Sequence, residues 1–282
     1  MTSLEWHDEL LAPTRSEGSD AATTIRLVED YPTIDVDDAV LLDLIIPAYN
    51  EEHRLGRTLS DLGRVITGQG LPVRLIIVDN ASVDGTASVV DSAEIDPSIA
   101  VELISCAARG KGAAVRTGVQ VASAPFVGYC DADLPVPSES LCWVIDLLMS
   151  GWDVVLGSRR CAGAVYEKQQ GMTRKLGSAA FRAASATLRG RVADTQCGFK
   201  FFRSDVAHRL FDGARITGFS FDLEILARAQ RMKGIRLIEM PVAWSDREGS
   251  SFSAARDGLR SFADLLAASQ SVREWSQPGT EP

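Results

Sequence analysis

The stretch VGYCDADLP, residues 127–135, is a short apolar run that ends abruptly in two aspartates one residue apart. The proline that follows interrupts the strand that the apolar run predicts. Two carboxylates at i and i+2, where a strand gives way to a loop, can converge on one hard divalent cation, which prefers oxygen ligands and can also hold substrate phosphates. A solvated acidic turn is the alternative, so the pair has to be judged together with the rest of the chain.

Apolar runs of strand length alternate with segments of helical length on both sides of this stretch. The predicted strands are 41–47, 73–79, 101–105, 125–130 and 153–156, and the helices between them end near 68, 93, 122 and 149. This alternation is typical of βαβ units, so we predict an α/β fold: a single domain with a mainly parallel central sheet flanked by helices.

Polar side chains follow the first four predicted strands, at the point where each strand ends. They are Asn50, Asp79, Arg109, Asp131 and Asp133. In parallel sheets, ligands bind beyond the carboxyl ends of the strands. We therefore expect these side chains to gather on one rim of the sheet.

The second half of the chain has a less regular pattern. We predict a mobile loop over 161–171, a helix over 173–188, helices from 204 and over 221–232, a strand over 235–240 continued to 244, a polar loop over 245–253 and a last amphipathic helix over 254–269.

The acidic residues are concentrated near the N-terminus. The 282-residue chain has a formal net charge of −9, but residues 1–40 contain ten acidic and only two basic residues. We predict a flexible acidic arm over 1–40, which is also a candidate contact for a homodimer, and a short tail over 271–282. The nearly neutral remainder argues against a nucleic-acid-binding face.

Several patterns that mark other classes of protein do not occur. No apolar run reaches 18 residues and no signal pattern opens the chain, so we expect neither a transmembrane helix nor secretion. Five cysteines without a C-x-x-C spacing fit reduced thiols in a cytoplasm. Neither G-x-G-x-x-G after the first strand nor G-x-x-x-x-G-K-[ST] is present, which excludes two familiar phosphate-binding loops.

Four segments, in order, give the first half its resemblance to a known family. They are IPAYNEE at 46–52, VDNASVDGT at 78–86, RGKG at 109–112 and DAD at 131–133. Together they resemble family 2 glycosyltransferases, which have the Rossmann-like glycosyltransferase-A fold. An ordered set of motifs is far more specific than any one of them.

Four more segments carry the resemblance through the second half. They are GSR at 157–159, DTQCGFK at 194–200, FDLE at 221–224 and WSDREGS at 244–250. Within the family they look most like dolichyl-phosphate β-glucosyltransferases and polyprenyl-phosphate sugar synthases. The resemblance covers 41–270 and implies a nucleotide-sugar half over 41–134 and an acceptor half over 135–270.

The resemblance implies a pocket for a nucleoside-diphosphate sugar, the donor substrate. Its residues are Pro47, Ala48, Tyr49, Asn50, Glu51, Asp79, Asn80, Asp131 and Ala132. A carboxylate such as Asp79 can accept the imino N–H of uracil or guanine, and capping of the next helix is its structural alternative. Arg109 and Lys111 precede a helix, where their cations and free backbone N–H groups suit a diphosphate.

By the same resemblance, Asp131 and Asp133 hold Mg²⁺ or Mn²⁺ against the diphosphate. Such a cation acts as a Lewis acid that neutralises the charge of the leaving group. Gln196 is either a further ligand or a buried amide bonded to backbone.

The acceptor half offers cations for binding and carboxylates for catalysis. The candidates to grip an anionic acceptor are Arg159, Arg174 and Lys200. A phosphate acceptor is already largely ionised at neutral pH, whereas a hydroxyl acceptor needs a carboxylate base near its proton. For that base we predict Asp222 first, with Asp194 and Glu224 behind it, and helix capping is the alternative role of Asp222.

The resemblance implies a metal-dependent inverting glycosyltransferase that uses a nucleoside-diphosphate sugar, in the first instance a UDP-sugar. Dolichyl-phosphate glucosyltransferases usually carry an N-terminal membrane anchor, whereas anionic lipid would repel the acidic arm of this chain. A soluble phosphate or metabolite hydroxyl is therefore an alternative to a polyprenyl-phosphate acceptor, and a soluble cytoplasmic protein is expected, with peripheral membrane association as the alternative. A nucleotide-sugar-binding protein without turnover and a nucleotidyltransferase are alternatives from other classes.

Overall fold

The structure is a computed structural model that describes residues 40–134, 136–166, 185–244 and 254–275. Nine β-strands occur in this part of the chain. The strands are β1 (Leu42–Ala48), β2 (Val73–Asp79), β3 (Val101–Ser105), β4 (Phe126–Cys130), β5 (Val154–Ser158), β6 (Val165–Tyr166), β7 (Phe199–Arg203), β8 (Leu237–Pro241) and β9 (Ala243–Trp244). Seven of them form one sheet in the order β3-β2-β1-β4-β7-β5-β8, and β6 pairs with β9 separately.

Parallel pairing dominates the seven-stranded sheet. β1 pairs in parallel with both β2 and β4, β2 with β3, and β5 with β8. β7 is inserted antiparallel between β4 and β5. The predicted mainly parallel sheet is confirmed, and the carboxyl ends of β1 to β4 lie along one edge of it.

The helices of the described residues cover both faces of this sheet. They are α1 (Leu55–Gln69), α2 (Thr86–Asp91), α3 (Lys111–Val121), α4 (Ser140–Met149), α5 (Ala186–Arg189), α6 (Ser204–Phe211), α7 (Phe221–Ala229) and α8 (Ala254–Glu274). On one face, Leu42, Leu44 and Ile46 of β1 belong to a core shared with α1 and α4. On the other, Ile45 belongs to a core shared with α3, α6, α7 and α8. Strands buried on both faces read as continuous apolar runs, which is why the sequence predicted β1 correctly.

The main departure from the predicted elements is β7. Residues 199–203, FKFFR, were not predicted as a strand, because a run of three phenylalanines and a lysine shows no clear period. The strand is held by antiparallel pairing with β4 on one side and β5 on the other. Two helix ends also differ: the helix predicted over 221–232 ends at Ala229, and the last helix continues to Glu274.

Some predictions fall outside the described residues. These are the arm up to residue 39, the rest of the 161–171 loop after Tyr166, the 173–184 part of the predicted helix, the 245–253 loop and the tail from 276. The division into a donor half and an acceptor half remains a prediction. Among the described helices, none has the length and apolar character that a membrane crossing requires.

Candidate active site

The turn after β4 fixes the backbone that carries the two aspartates. The Asp131 N–H donates to the carbonyl of Gly198 at 3.1 Å, and the Leu134 N–H donates to the Asp131 carbonyl at 2.9 Å. Leu134 has a φ of 37°, which is uncommon for a residue with a side chain. The Thr58 hydroxyl of α1 donates to the buried carbonyl of Ala132 at 2.6 Å. Two other segments of the chain therefore hold this turn in place.

The Asp131 side chain lies directly against Gly198, in the space that a Cβ would occupy. A Cβ at this position would stand 2.1 Å from Asp131 Oδ2 and 2.6 Å from Oδ1. Both distances are far shorter than a van der Waals contact. Gly198 therefore helps to define where the Asp131 carboxylate sits.

Each aspartate has a basic neighbour. Lys111 forms an ion pair with Asp131 Oδ1, and Arg54 Nη1 lies 3.7 Å from Asp133 Oδ2. Arg54 also donates to both carboxylate oxygens of Glu51, at 2.7 and 2.8 Å. Three carboxylates and two cations are thus brought together at the edge of the sheet.

Burial and neighbouring charges raise the pKa values of two of these carboxylates. Burial, and then the charge of Asp131, raises the pKa of Asp133 above its ordinary value. Burial raises the pKa of Glu51 as well, although a neighbouring arginine opposes it. Burial acts to lower the pKa of Lys111, but the charges of Asp131 and Asp222 outweigh it and keep that pKa above the usual value. Carboxylates that disfavour one another's charge are stabilised by an added cation.

The two aspartates fit a divalent cation that is shared with a substrate. Within the described ranges, no group of three or more His, Cys, Asp or Glu side chains is arranged to hold a metal ion. Mg²⁺ is usually bound by one or two carboxylates together with water and substrate phosphates. Asp131 and Asp133 would supply the protein part of such a set. Gln196 is exposed and its backbone N–H donates to Asp194 at 3.2 Å, so its ligand role remains a prediction.

The loops that follow β1 and β2 brace each other. Asn50, with a φ of 55°, donates its N–H to Ser82 Oγ at 3.0 Å, and its side-chain oxygen accepts the Val83 N–H at 2.9 Å. The Glu51 N–H donates to Thr86 Oγ1 at 2.8 Å. The two loops therefore form one wall of the predicted nucleotide pocket.

Asp79 has a local structural role at the end of β2. Its Oδ1 accepts the Ser82 N–H at 3.1 Å, which stabilises the turn before α2. The side chain is only half-buried, so binding of the base remains a prediction. Pro47 is half-buried and Ala48 is buried, whereas Tyr49 is 44% exposed beside this wall.

Asn80 was predicted to contact the nucleotide, but the loop after β3 occupies its side chain. Its Nδ2 donates to the carbonyls of Ala108 at 2.6 Å and Cys106 at 3.3 Å, and its Oδ1 accepts the Gly110 N–H at 2.7 Å. Asn80 therefore braces the loop after β3, and only 4% of it is exposed. Arg109, within the same loop, is exposed.

The start of α3 is capped by another segment of the chain. The N–H groups of Gly112 and Ala113 both donate to the Thr217 carbonyl, at 2.8 and 3.3 Å. A Cβ at Gly110, whose φ is 122°, would stand 2.2 Å from that same carbonyl oxygen. The expectation of free N–H groups for a diphosphate is therefore wrong for these two residues. The Lys111 side chain is the group that reaches the aspartates.

Both carboxylate oxygens of Asp194 accept hydrogen bonds from Arg159. Its carboxylate accepts the Arg159 N–H at 3.0 Å, Nε at 2.6 Å and Nη2 at 2.9 Å. Burial acts to raise the pKa of Asp194, but the Arg159 contacts outweigh it and lower that pKa to about 2. The Arg159 guanidinium lies 4.7 Å from the ring centroid of Trp244. Arg159 is thereby oriented by an ion pair and an aromatic face together.

Glu224 supports the loop before α7. Its carboxylate accepts the N–H groups of Arg215 at 3.0 Å and Ile216 at 2.8 Å, and Arg228 Nη2 at 2.8 Å. The Ser271 hydroxyl of α8 donates to it as well. The side chain is fully buried, so these contacts give it a structural role, and its catalytic role stays a prediction.

Asp222 is enclosed by two donors. Its Oδ1 accepts the Tyr129 hydroxyl and lies 2.9 Å from Lys200 Nζ. Burial, and then the Asp222 charge, raises the pKa of Tyr129 well above its usual value, so the hydroxyl stays protonated. Lys200, predicted to bind an acceptor, is fully buried and paired with Asp222. Arg174 lies outside the described residues.

Comparison with known proteins decides the family. Residues 43–211 match the family model described as Glycosyl transferase family 2. The chain belongs to this family. The dolichyl-phosphate beta-glucosyltransferase of Homo sapiens is 30% identical over 284 residues, which is 94% of this chain and 84% of that protein. The enzyme of the same name from Dictyostelium discoideum is 29% identical over 242 residues, 81% of this chain and 74% of that protein.

A solved structure confirms the fold of this glycosyltransferase. The glucosyl-3-phosphoglycerate synthase from Mycobacterium tuberculosis superposes with a TM-score of 0.61 at 16% identity, over 85% of this chain and 80% of that chain. The predicted glycosyltransferase-A fold is therefore confirmed, and the match to the family model confirms the predicted enzyme class.

Sequence reasoning missed residues that the glycosyltransferase uses to hold its rim. Arg54, Tyr129 and Thr217 contact Glu51, Asp222 and the start of α3, respectively. Two of them carried a signal: Arg54 follows Glu51 by three positions at a helix start, and Tyr129 lies near the end of a strand, two positions before Asp131. Thr217 acts through its backbone carbonyl, which no residue pattern reveals.

Proposed function

We propose that this glycosyltransferase moves a sugar, with inversion, from a UDP-sugar to the phosphate oxygen of a phosphate-bearing acceptor, in a reaction that depends on a divalent metal ion. One observation carries the choice of acceptor. All three carboxylates predicted as the catalytic base are buried and already bound by cationic partners.

The partner of each carboxylate is a basic side chain. Asp194 pairs with Arg159, Glu224 with Arg228, and Asp222 with Lys200. Each of these three acidic residues is at most 3% exposed. A general base has to lie within hydrogen-bond reach of the proton that it removes. A phosphate has largely lost its protons at pH 7 and attacks without such help.

The proposed donor site uses the rim around the turn after β4. Asp131 and Asp133 would hold Mn²⁺ or Mg²⁺ together with the diphosphate, and Lys111 and Arg109 would contact the diphosphate directly. When bound, the metal ion supplies Lewis-acid stabilisation of the leaving diphosphate. Asp79 accepts the uracil N–H from the wall formed by the first two loops.

Arg159 is our candidate to anchor the acceptor phosphate. It follows β5, and the Asp194 carboxylate and the Trp244 ring fix its orientation. An arginine whose orientation is fixed in advance loses little entropy when it binds a phosphate.

The names of related proteins support a phosphate-bearing acceptor. The human and Dictyostelium relatives are named for dolichyl phosphate, and the M. tuberculosis synthase was solved with Mn²⁺, UDP and phosphoglyceric acid. A polyprenyl phosphate and a soluble phosphate present the same nucleophile. The first would bring this protein to a membrane surface, and the second would leave it in the cytoplasm.

The test offers matched acceptors to the purified protein. UDP-glucose and Mn²⁺ are incubated with a polyprenyl phosphate in detergent, a short alkyl phosphate, 3-phosphoglycerate or the alcohol of the same alkyl chain. We expect a glycosyl phosphate, detected by ³¹P NMR, from at least one phosphate, and no glycoside from the alcohol. Removal of the metal with EDTA, or the substitution Asp133→Asn, should abolish transfer.

Asp96→Asn is the matched control, since Asp96 lies in the loop that precedes β3, at the opposite edge of the sheet. This variant should retain wild-type transfer. The acceptor assignment would be overturned if the protein glycosylated a hydroxyl and left every phosphate unmodified.

A further inference from the structure

The antiparallel pairing of β4 and β7 brings two unusual buried side chains together. Tyr129 and Lys200 are cross-strand partners in this pair, so their side chains leave the same face of the sheet. Asp222, in the first turn of α7, meets both of them through one oxygen. Tyr129 and Lys200 are fully buried and Asp222 is 3% exposed. A charged pair enclosed to this degree is costly unless its partners satisfy it.

A second lysine also lies near the ring of Tyr129. Lys111 Nζ is 6.0 Å from the centroid of the Tyr129 ring, and Lys200 Nζ is 5.6 Å from it. Lys111 continues to Asp131, with which it forms an ion pair. Two Lys–Asp ion pairs, Lys111–Asp131 and Lys200–Asp222, therefore lie near one aromatic ring.

The contacts of Lys200 show that it stays inside this arrangement. Besides the contact to Asp222, its ammonium donates to the carbonyl of Cys197. Lys200 cannot reach a substrate without breaking a fully buried ion pair. The negative charge of Asp222 contacts the Lys200 ammonium directly and also acts on Lys111, and only 3% of Asp222 is exposed.

We propose that Asp222 is a positioning residue, which acts with Tyr129 and Lys200 to hold the Lys111 ammonium at Asp131, where the donor diphosphate binds. The proposal rests on the donor site proposed above. It assigns the three buried residues to donor binding, instead of to proton transfer on the acceptor.

The test is a double-mutant cycle between Asp222→Asn and Lys111→Met, read out by calorimetric titration with UDP in the presence of Mn²⁺. In the wild-type background, D222N should weaken UDP binding about tenfold, equivalent to about 1.4 kcal/mol. In the K111M background, the same substitution should weaken binding less than about twofold, because its effect passes through Lys111. Equal losses in both backgrounds would overturn the proposal.

Steady-state kinetics distinguish a positioning role of Asp222 from a role as the catalytic base. With UDP-glucose as donor, D222N should raise KM for the donor more than it lowers kcat, and the acidic limb of the kcat–pH profile should keep its shape. A fall in kcat of about a thousandfold with unchanged UDP binding would instead identify Asp222 as the base. Tyr129→Phe, which removes only a hydroxyl, should give a smaller shift of KM in the same direction.

Asp43→Asn is the matched control, because it also replaces a buried, ion-paired aspartate with asparagine. Asp43 is fully buried and paired with Arg74 at the amino-terminal part of β1, so D43N should destabilise the protein and leave UDP affinity unchanged. The same cycle is also measured by urea unfolding without nucleotide, where D222N and K111M should again be non-additive. If the wild-type protein binds no UDP, the proposed function fails, and the unfolding cycle alone then decides whether Asp222 holds Lys111.

Discussion

The substitution Gly198→Ala should damage catalysis while sparing the fold. Its Cβ would stand 2.1 Å from Asp131 Oδ2 and 2.6 Å from Oδ1, so the carboxylate has to move. The atoms in the way are the end of a flexible side chain, and Gly198 is not among the glycines with positive φ. The strain can therefore be relieved by rotation of Asp131 without a shift of the backbone.

The required movement sets the magnitude. Restoring ordinary contact distance displaces the carboxylate by roughly 1.5 Å. A misplacement of about 1 Å at a reacting centre can cost about a hundredfold in rate, equivalent to about 2.7 kcal/mol of transition-state stabilisation. We expect kcat/KM to fall by at least that factor, and the unfolding free energy to change by less than about 1 kcal/mol.

The assay combines steady-state kinetics with UDP-glucose, titration with Mn²⁺ followed by electron paramagnetic resonance, and urea unfolding. Two other glycines serve as controls. Gly128→Ala places a Cβ 2.0 Å from the Phe201 ring, so it should cost about 1–3 kcal/mol of stability through overpacking. Gly68→Ala meets nothing within 4 Å on α1 and should be neutral or slightly stabilising.

The reasoning is refuted if G198A binds Mn²⁺ and turns over like the wild-type protein. That result would mean that the Asp131 carboxylate does not have to occupy its observed position. A loss of stability as large as that of G128A would also contradict it, because the clash would then be borne by the fold.

Three other substitutions test the site's supports. Glu224→Gln should keep kcat within about threefold of wild type and lower the unfolding free energy by about 3 kcal/mol, because Arg228 loses its buried partner; a thousandfold loss of kcat at unchanged stability would restore Glu224 as a base candidate. Asn80→Ala removes three hydrogen bonds to the 106–110 loop, so urea unfolding should show a loss of about 1–3 kcal/mol and UDP titration a weaker affinity. Because Arg159 lowers the pKa of Asp194 from 3.8 to about 2, the stability from this pair is present above about pH 4 and lost as pH falls toward 2; Asp194→Asn should remove that part of the acid unfolding profile, and an unchanged profile would contradict the pairing.

The sequence was sufficient for the sheet and for the edge that carries the site. β1, β2 and β4 are buried on both faces, so they appear as apolar runs, and the polar residues after them necessarily follow the same edge. β7 could not be read in the same way, since its pairing depends on a gap between strands far away in the chain.

The partners of the acidic residues were beyond sequence reasoning for a similar reason. Asp222 lies 93 positions from Tyr129 and Asp194 lies 35 from Arg159, and nothing local to Asp222 distinguishes a buried ion pair from an accessible base. The resemblance to a family supplied the metal-binding expectation for Asp131 and Asp133, but it gave no indication that Lys200 and Asn80 face inward.

The late arrival of β7 matters for how the chain is made. All five residues of β4 are buried, yet one side of the strand has no partner until residues 199–203 have been synthesised. At about 5–20 residues per second, that interval lasts several seconds. A nascent chain in this window presents an apolar strand with open hydrogen-bonding groups, which is a template for intermolecular pairing. A fragment that ends after Asp133 would keep this edge permanently, so we expect it to aggregate even though it contains most of the residues proposed to bind the donor.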